Sequence, residues 1–233
     1  MAVITISRTL GSRGDEIAQS LCRELGYQFF EKGLIIQAAV EAGIGDKEIQ
    51  DLSEDTYKVH GFLDRLFSRS SFFPYMGMWP EDMAAMAALQ EEMLNEETLL
   101  ELVRSAVEWA YHLDNMIIVG RGSQVLLKGR PDVLHVRLDA PVETRVQCVL
   151  EQFGHSSKEP DLPERVRRMV HERDTASAQY IKTFYHVDWA DPQQYHMVLN
   201  TGLLSDAQVV QAIKDITVTL PKLERSPETD VAR

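Results

Sequence analysis

The run Ala2-Val3-Ile4-Thr5-Ile6, then Ser7-Arg8-Thr9-Leu10-Gly11-Ser12-Arg13-Gly14, then Asp15-Glu16-Ile17-Ala18-Gln19-Ser20-Leu21-Cys22-Arg23-Glu24-Leu25-Gly26 decides the fold. Its first part is β-branched and predicts a strand. The middle holds Gly11 and Gly14 with Arg8 and Arg13, a loop composition. From Asp15 onward Ile17, Leu21 and Leu25, with Ala18 and Cys22 beside them, recur at helical spacing, and Gly26 is placed to end that helix. A strand–loop–helix unit of this kind presents free backbone N–H groups and the positive end of a helix dipole to an anion.

Outward from it the same alternation continues. Residues 27–30 predict a second strand and 33–42 a second helix closed by Gly43. Met116-Ile117-Ile118-Val119-Gly120 is a buried-type strand followed by the turn Arg121-Gly122-Ser123. Residues 133–138 predict another strand, and Asp139-Ala140-Pro141 opens a helix to about residue 153. A polar loop over 154–163, a long helix over 163–185, a fifth strand over 196–200 and a helix over 205–216 capped by Ser205 or Asp206 complete the pattern. Five short apolar strands alternating with helices predict an α/β fold: a five-stranded parallel sheet with helices on both faces. Ligands of such folds sit beyond the carboxyl ends of the strands.

Residues 45–114 differ in character and predict a helical insertion. Met76, Met78, Met83, Met86 and Met93 lie there, beside Phe72-Phe73-Pro74-Tyr75 and Trp79, and a long acidic amphipathic helix follows. The methionines and aromatics suit either a core or an exposed patch through which the chain forms a homodimer. The remainder, 219–233, predicts a flexible polar tail.

The chain has 233 residues and a formal net charge of −12. So acidic a surface disfavours nucleic-acid binding, while leaving room for a local basic pocket. No apolar run approaches the ~20 residues that span a bilayer. With no export-like N-terminal pattern, and with Cys22 and Cys148 lacking metal-ligand spacing and suited to reduced core thiols, a cytoplasmic location is expected. The histidines are scattered without metal spacing, His135 fits a packed strand position, and no Gly-x-Ser-x-Gly turn points to hydrolysis.

The first loop fails the full phosphate-loop pattern Gly-x-x-x-x-Gly-Lys-Ser/Thr. Its wider context is more specific. Residues 4–8 with Gly11-Ser12 and Glu16-Ile17-Ala18, then Val119-Gly120-Arg121-Gly122, Leu138-Asp139-Ala140-Pro141 with Glu143 and Arg145, and Glu172-Arg173-Asp174 come in a telling order. With the spacing of Tyr180, Trp189 and Tyr195 and with Leu199-Asn200-Thr201-Gly202-Leu203, the chain resembles the cytidylate kinase-like family, a branch of the P-loop nucleoside monophosphate kinases. The resemblance covers about residues 2–42 and 115–216. It implies a P-loop NTPase core over 1–44 and 115–218, with a lid-like segment about 154–190. It also implies phosphoryl transfer from ATP with Mg²⁺ to a small nucleotide such as CMP or dCMP.

By the same resemblance Arg8, Gly11, Ser12, Arg13 and Gly14 would bind the donor phosphates and Arg121 the acceptor. Arg168 and Arg173 would belong to the lid, with Arg13 and Arg173 as the catalytic cations. The departures are as definite. Gly14 stands where the loop lysine is expected and Arg13 where a glycine is; Glu16 takes the place of the metal-binding hydroxyl and becomes the candidate metal ligand. Ile36 and Gln37 replace acceptor-gripping residues, and residues 175–179 lack lid arginines. The donor loop sums to zero charge, Arg8 and Arg13 against Asp15 and Glu16. Several readings of single residues stay open: Arg8 and Arg13 as surface ion-pair partners of Asp15 or Glu16, Arg121 in a structural salt bridge, Asp139 as a helix cap, and the basic helix as a solvated face. At the level of the whole protein the alternative is a catalytically silent relative that senses a ligand or binds a partner through the insertion.

Overall fold

Parallel pairing around one central strand organises the molecule. A computed structural model describes residues 2–30, 96–152 and 161–221. The strands are β1 (Val3–Arg8), β2 (Gln28–Phe29), β3 (Met116–Val119), β4 (Val133–Asp139) and β5 (Met197–Asn200). They form one parallel sheet in the order β2-β3-β1-β4-β5. The helices are α1 (Gly14–Leu25), α2 (Glu96–His112), the single turn α3 (Ser123–Leu126), α4 (Val142–Gln152), α5 (Leu162–Tyr185) and α6 (Asp206–Thr217). This is the expected architecture, a five-stranded parallel sheet clad in helices.

The chain divides into two units, one of Met1–Phe30 with Val107–Arg233 and one of Glu31–Ala106. All five strands belong to the first. In the second, the N-terminal part of α2 is described and buries Val103 and Ala106. The helix expected at 33–42, the positions Ile36 and Gln37, the Met/aromatic stretch with Trp79 and its dimer contact, and the tail beyond 221 lie outside the described residues. Among those described, no helix is long and apolar enough to cross a membrane.

The two faces of the sheet are unlike, and alternation explains it. On one face Ile4, Ile6, Ile117, Leu134, Val136 and Leu138 pack against Ile17, Ala18 and Leu21 of α1 and Val209, Val210 and Ile213 of α6. Gly26 ends α1 with φ 67, its N–H donating to the Cys22 carbonyl, and Ser205 opens α6 in a capping box with Gln208. The opposite face carries a polar row where a parallel sheet is usually apolar. Thr5 and His135, in register on neighbouring strands, hydrogen-bond at 2.7 Å. Ser7 accepts from the Trp189 indole at 2.7 Å, and Arg137 donates to the Trp189 carbonyl at 2.9 Å.

β1 runs two residues further than its β-branched run suggests, because Ser7 and Arg8 pair with Arg137 and Leu138 of β4. That extension puts Arg8 at the carboxyl end of the central strand instead of in the loop.

His135 is buried and stacks on His196 with ring centroids 5.1 Å apart. Burial first, and His196 second, push its pKa down from 6.5 to about 4. Below pH 6.5 the unfolded chain therefore takes up a proton that the folded one refuses until about pH 4. The stabilisation is complete above that window and is lost as the pH falls through it, by about 1.4 kcal/mol per pH unit. Urea unfolding from pH 7 to 4 should show this slope, and His135→Gln should flatten it.

Candidate functional site

The donor-type loop is held by its neighbours from below. Thr9 N–H donates to the Leu138 carbonyl, and the Ser12 hydroxyl turns back to the Thr9 carbonyl at 2.7 Å. Gly11 has φ 81, and a Cβ there would lie 2.4 Å from the Arg145 carbonyl oxygen, so only glycine fits. The Arg145 side chain, nearly all buried, donates to the carbonyls of Ala140 and Leu10 and grips both carboxylate oxygens of Asp174, at 3.1 and 2.8 Å. The loop, α4 and α5 are thereby tied to one guanidinium. Asp139 plays a related part, accepting from Ala140 N–H, the Thr9 hydroxyl and Arg137.

Arg13 is already engaged. It sits at the N-cap of α1 in the left-handed region, φ 58. Its guanidinium donates to the Thr201 and Leu204 carbonyls and pairs with Asp206 at 3.0 Å. The surface-pair reading of the loop arginines therefore describes both: Arg8 pairs with Asp15 as that reading has it, and Arg13 pairs with Asp206 across the loop after β5 instead of with Asp15 or Glu16. Glu16 is exposed and accepts from Gln152 at 3.1 Å.

A different set of cations gathers at the carboxyl ends of β1 and β3. Arg8 leaves the end of β1, pairs through Nε with Asp15 at 3.2 Å, and passes so close to Gly14 that a Cβ there would sit 2.6 Å from its own Cβ and Cγ. Its Nη1 lies 3.3 Å from where a Cβ on Gly120 would be. Gly120, Arg121 and Gly122 follow β3 with φ of 74, 63 and 69, three left-handed residues in succession. For arginine that conformation is strained, and such strain collects at functional sites. The Arg121 guanidinium stacks over the Phe30 ring at 5.2 Å. The Tyr185 ring covers Gly122, where a Cβ would meet it at 2.4 Å.

The charges of this cluster feel one another. Burial, then the charge of Arg8, lower the Arg121 pKa to about 10, with Tyr180 opposing. The same two causes lower that of Arg173 to about 10, with Asp15 and Asp174 opposing. Tyr180, buried beside Tyr185 and Arg121, is pushed well above the ordinary phenol range, mainly by burial. The charge of Arg8 is thus felt by both Arg121 and Arg173, and Arg168 is not among this set. It lies on the exposed side of α5, in a shallow recess of about 470 Å³ with Arg167, His171 and Glu172. Nearby, Arg167 pairs with Glu143, which joins α5 to α4 on the surface.

Partly desolvated guanidiniums of like charge repel, and an anion placed among them relieves the repulsion. Among the described residues no group of three His, Cys, Asp or Glu side chains is arranged to hold a metal. Mg²⁺ does not require one, since it commonly takes one or two carboxylates and completes its shell with water and substrate phosphates.

The model of the cytidylate kinase-like family matches residues 3–203. The chain belongs to this family. It is 26% identical over 227 residues to a cytidylate kinase of Methanopyrus kandleri, covering 96% of this chain and 95% of that one. An uncharacterized protein from Eubacterium ventriosum ATCC 27560 superposes with a TM-score of 0.55 at 17% identity, covering 94% of this chain and 99% of that one. A shikimate kinase from Acinetobacter baumannii superposes with a TM-score of 0.44 at 11% identity, covering 94% and 93%. The family is kinase-like by its description, and Arg13 and Gly14 depart from the general phosphate-loop pattern.

Sequence reasoning placed Arg121 and Arg173 by resemblance, but it missed Phe30, Asp15 and Tyr185 as their neighbours. Periodicity holds no signal for them, because each is a contact between elements distant in the chain.

The anchoring of Arg13 is testable through stability alone. Arg13→Ala and Arg13→Gly both lose the bonds to Thr201, Leu204 and Asp206, but only alanine must still hold the left-handed backbone. The alanine variant should be less stable than the glycine variant by about 1 kcal/mol in urea unfolding.

Proposed function

We propose that this protein transfers the γ-phosphoryl group of ATP to a small nucleotide, with a pyrimidine monophosphate such as CMP or dCMP as acceptor. The observation that carries the reading is the convergence of Arg8, Arg121 and Arg173, two of them with pKa lowered to about 10 by burial and by the charge of Arg8. Phosphoryl transfer asks a protein chiefly to position two anions and to neutralise charge on non-bridging oxygens. Arg121, strained and stacked on Phe30, is assigned to the acceptor phosphate. Arg173 belongs to the group in flight. It is the neighbour of Asp174, which Arg145 fixes to the donor loop, so its position is set by the same bond that sets the loop.

Mg²⁺ supplies charge neutralisation between the donor phosphates when bound. Glu16, in the first turn of α1, would be the carboxylate that holds it, Asp15 being paired with Arg8. Glu16 lacks the hydroxyl of the usual loop, but one carboxylate satisfies the chemistry of the ion. A donor of this kind would suit the cytoplasmic location expected from the sequence.

The engagement of Arg13 favours one second reading, a relative that binds nucleotide without turning it over. The decisive experiment is ADP formation from ATP and Mg²⁺ with CMP, dCMP, UMP or AMP, beside a thermal-shift series with the same ligands. Turnover with one monophosphate is expected. Ligand-dependent stabilisation with no ADP from any acceptor would replace the kinase by the silent binder. In the active enzyme Arg121→Ala should raise the acceptor KM at least about tenfold with little effect on that of ATP, and Arg173→Ala should lower kcat by about 10²–10³.

A further inference from the structure

We infer that Arg8 supplies, from the end of β1, the cation for the donor's β- and γ-phosphates that position 14 lacks, so that Arg8 and Gly14 form one exchanged pair. The inference rests on the phosphoryl-transfer reading and names the residue that makes its donor half work. In the phosphate-loop pattern the first glycine and the lysine are six positions apart, and here Arg8 and Gly14 occupy those two places with the residue types reversed.

The packing shows why the reversal is coupled. A Cβ on Gly14 would stand 2.6 Å from both Cβ and Cγ of Arg8, closer than any side chain tolerates. A long side chain at 8 therefore demands glycine at 14, and a lysine at 14 demands glycine at 8. Either arrangement sends one flexible cation from the strand–loop–helix corner toward the carboxyl ends of the strands. Arg8 ends beside Gly120, pairs with Asp15 at 3.2 Å, and lies close enough to lower the pKa of both Arg121 and Arg173. Its side chain keeps 30% of its exposure, so phosphate can reach it. Asp15 holds the guanidinium in place until the phosphates compete for it. The planar fork of arginine suits two oxygens of neighbouring phosphoryl groups as well as one lysine suits a point contact.

The other arginine of the loop cannot take this part without breaking structure, because Thr201, Leu204 and Asp206 already hold it.

The test is calorimetric titration of the full chain with ATP and with inorganic tripolyphosphate, together with steady-state kinetics. Arg8→Gln should weaken tripolyphosphate binding at least about tenfold and lower kcat by about 10²–10³, with an unchanged circular-dichroism spectrum and an unchanged acceptor KM. Arg8→Lys should retain most of the binding. Gly14→Lys alone should lose it, because the two side chains collide, whereas the double change Arg8→Gly with Gly14→Lys should recover it to within about tenfold of the original. Should that double variant not fold, the contrast between Arg8→Gln and Arg8→Lys decides. Tripolyphosphate binding by Arg8→Gln equal to the original, or a folded double variant no better than Arg8→Gln, would overturn the exchange. Failure of the unaltered protein to bind ATP or tripolyphosphate would instead overturn the phosphoryl-transfer reading on which it rests.

Discussion

One buried guanidinium holds the functional end of this molecule together. Arg145 reaches from α4 to the carbonyl of Leu10 in the donor loop and that of Ala140 after β4, and closes a two-pronged pair with Asp174 on α5. A desolvated ion pair of this type is costly to assemble and costlier to break on one side, since the remaining charge stays buried. It therefore specifies geometry more than it adds stability. The loop backbone rests directly on the Arg145 carbonyl at Gly11, and Arg173 follows from the placement of Asp174. Moving Arg145 would move the loop and the third cation together.

On that frame the site accumulates positive charge at an energetic cost. Arg121 and Arg173 are both partly desolvated and both sense Arg8; Tyr180 opposes the shift at Arg121, and Asp15 and Asp174, the latter already shared with Arg145, oppose it at Arg173. Backbone strain adds to the cost at Arg121, held left-handed between two glycines. The overall charge of −12 does not contradict a local gathering of guanidiniums with Asp15 and Asp174 beside them.

The polar row on one face of the sheet belongs to the same economy. Ser7, Arg137, Trp189 and Tyr195 form a closed set of hydrogen bonds under the ends of β1 and β4. Arg137 also stacks on Trp189 at 4.3 Å, so its charge is both bonded and covered. It is a rigid floor beneath the loops, built from groups that would be expensive to bury singly and are affordable as a network.

Alternation of β-branched runs with helical periodicity was enough to establish an α/β chain with a parallel sheet, the end of α1 at Gly26 and the cap at Ser205. Each depends on residues within a few positions of one another, so local sequence carries it. The same is true of the doubt over the donor loop, since the missing lysine is plain at Gly14. The resemblance put both Arg8 and Arg13 among the donor-phosphate residues and gave Arg13 the catalytic part, whereas the folded protein spends Arg13 on the loop after β5 and brings Arg8 across Gly14. Strand β1 could be seen to start but not to reach Arg8, because its last two residues are held by β4, more than a hundred residues on. Sequence alone determined the scaffold and the residue types at its corner. Which loop guanidinium packs over Gly14 and which is held by the loop after β5 was decided only by tertiary packing, because side chains compete for one volume and that competition exists only once the strands are paired.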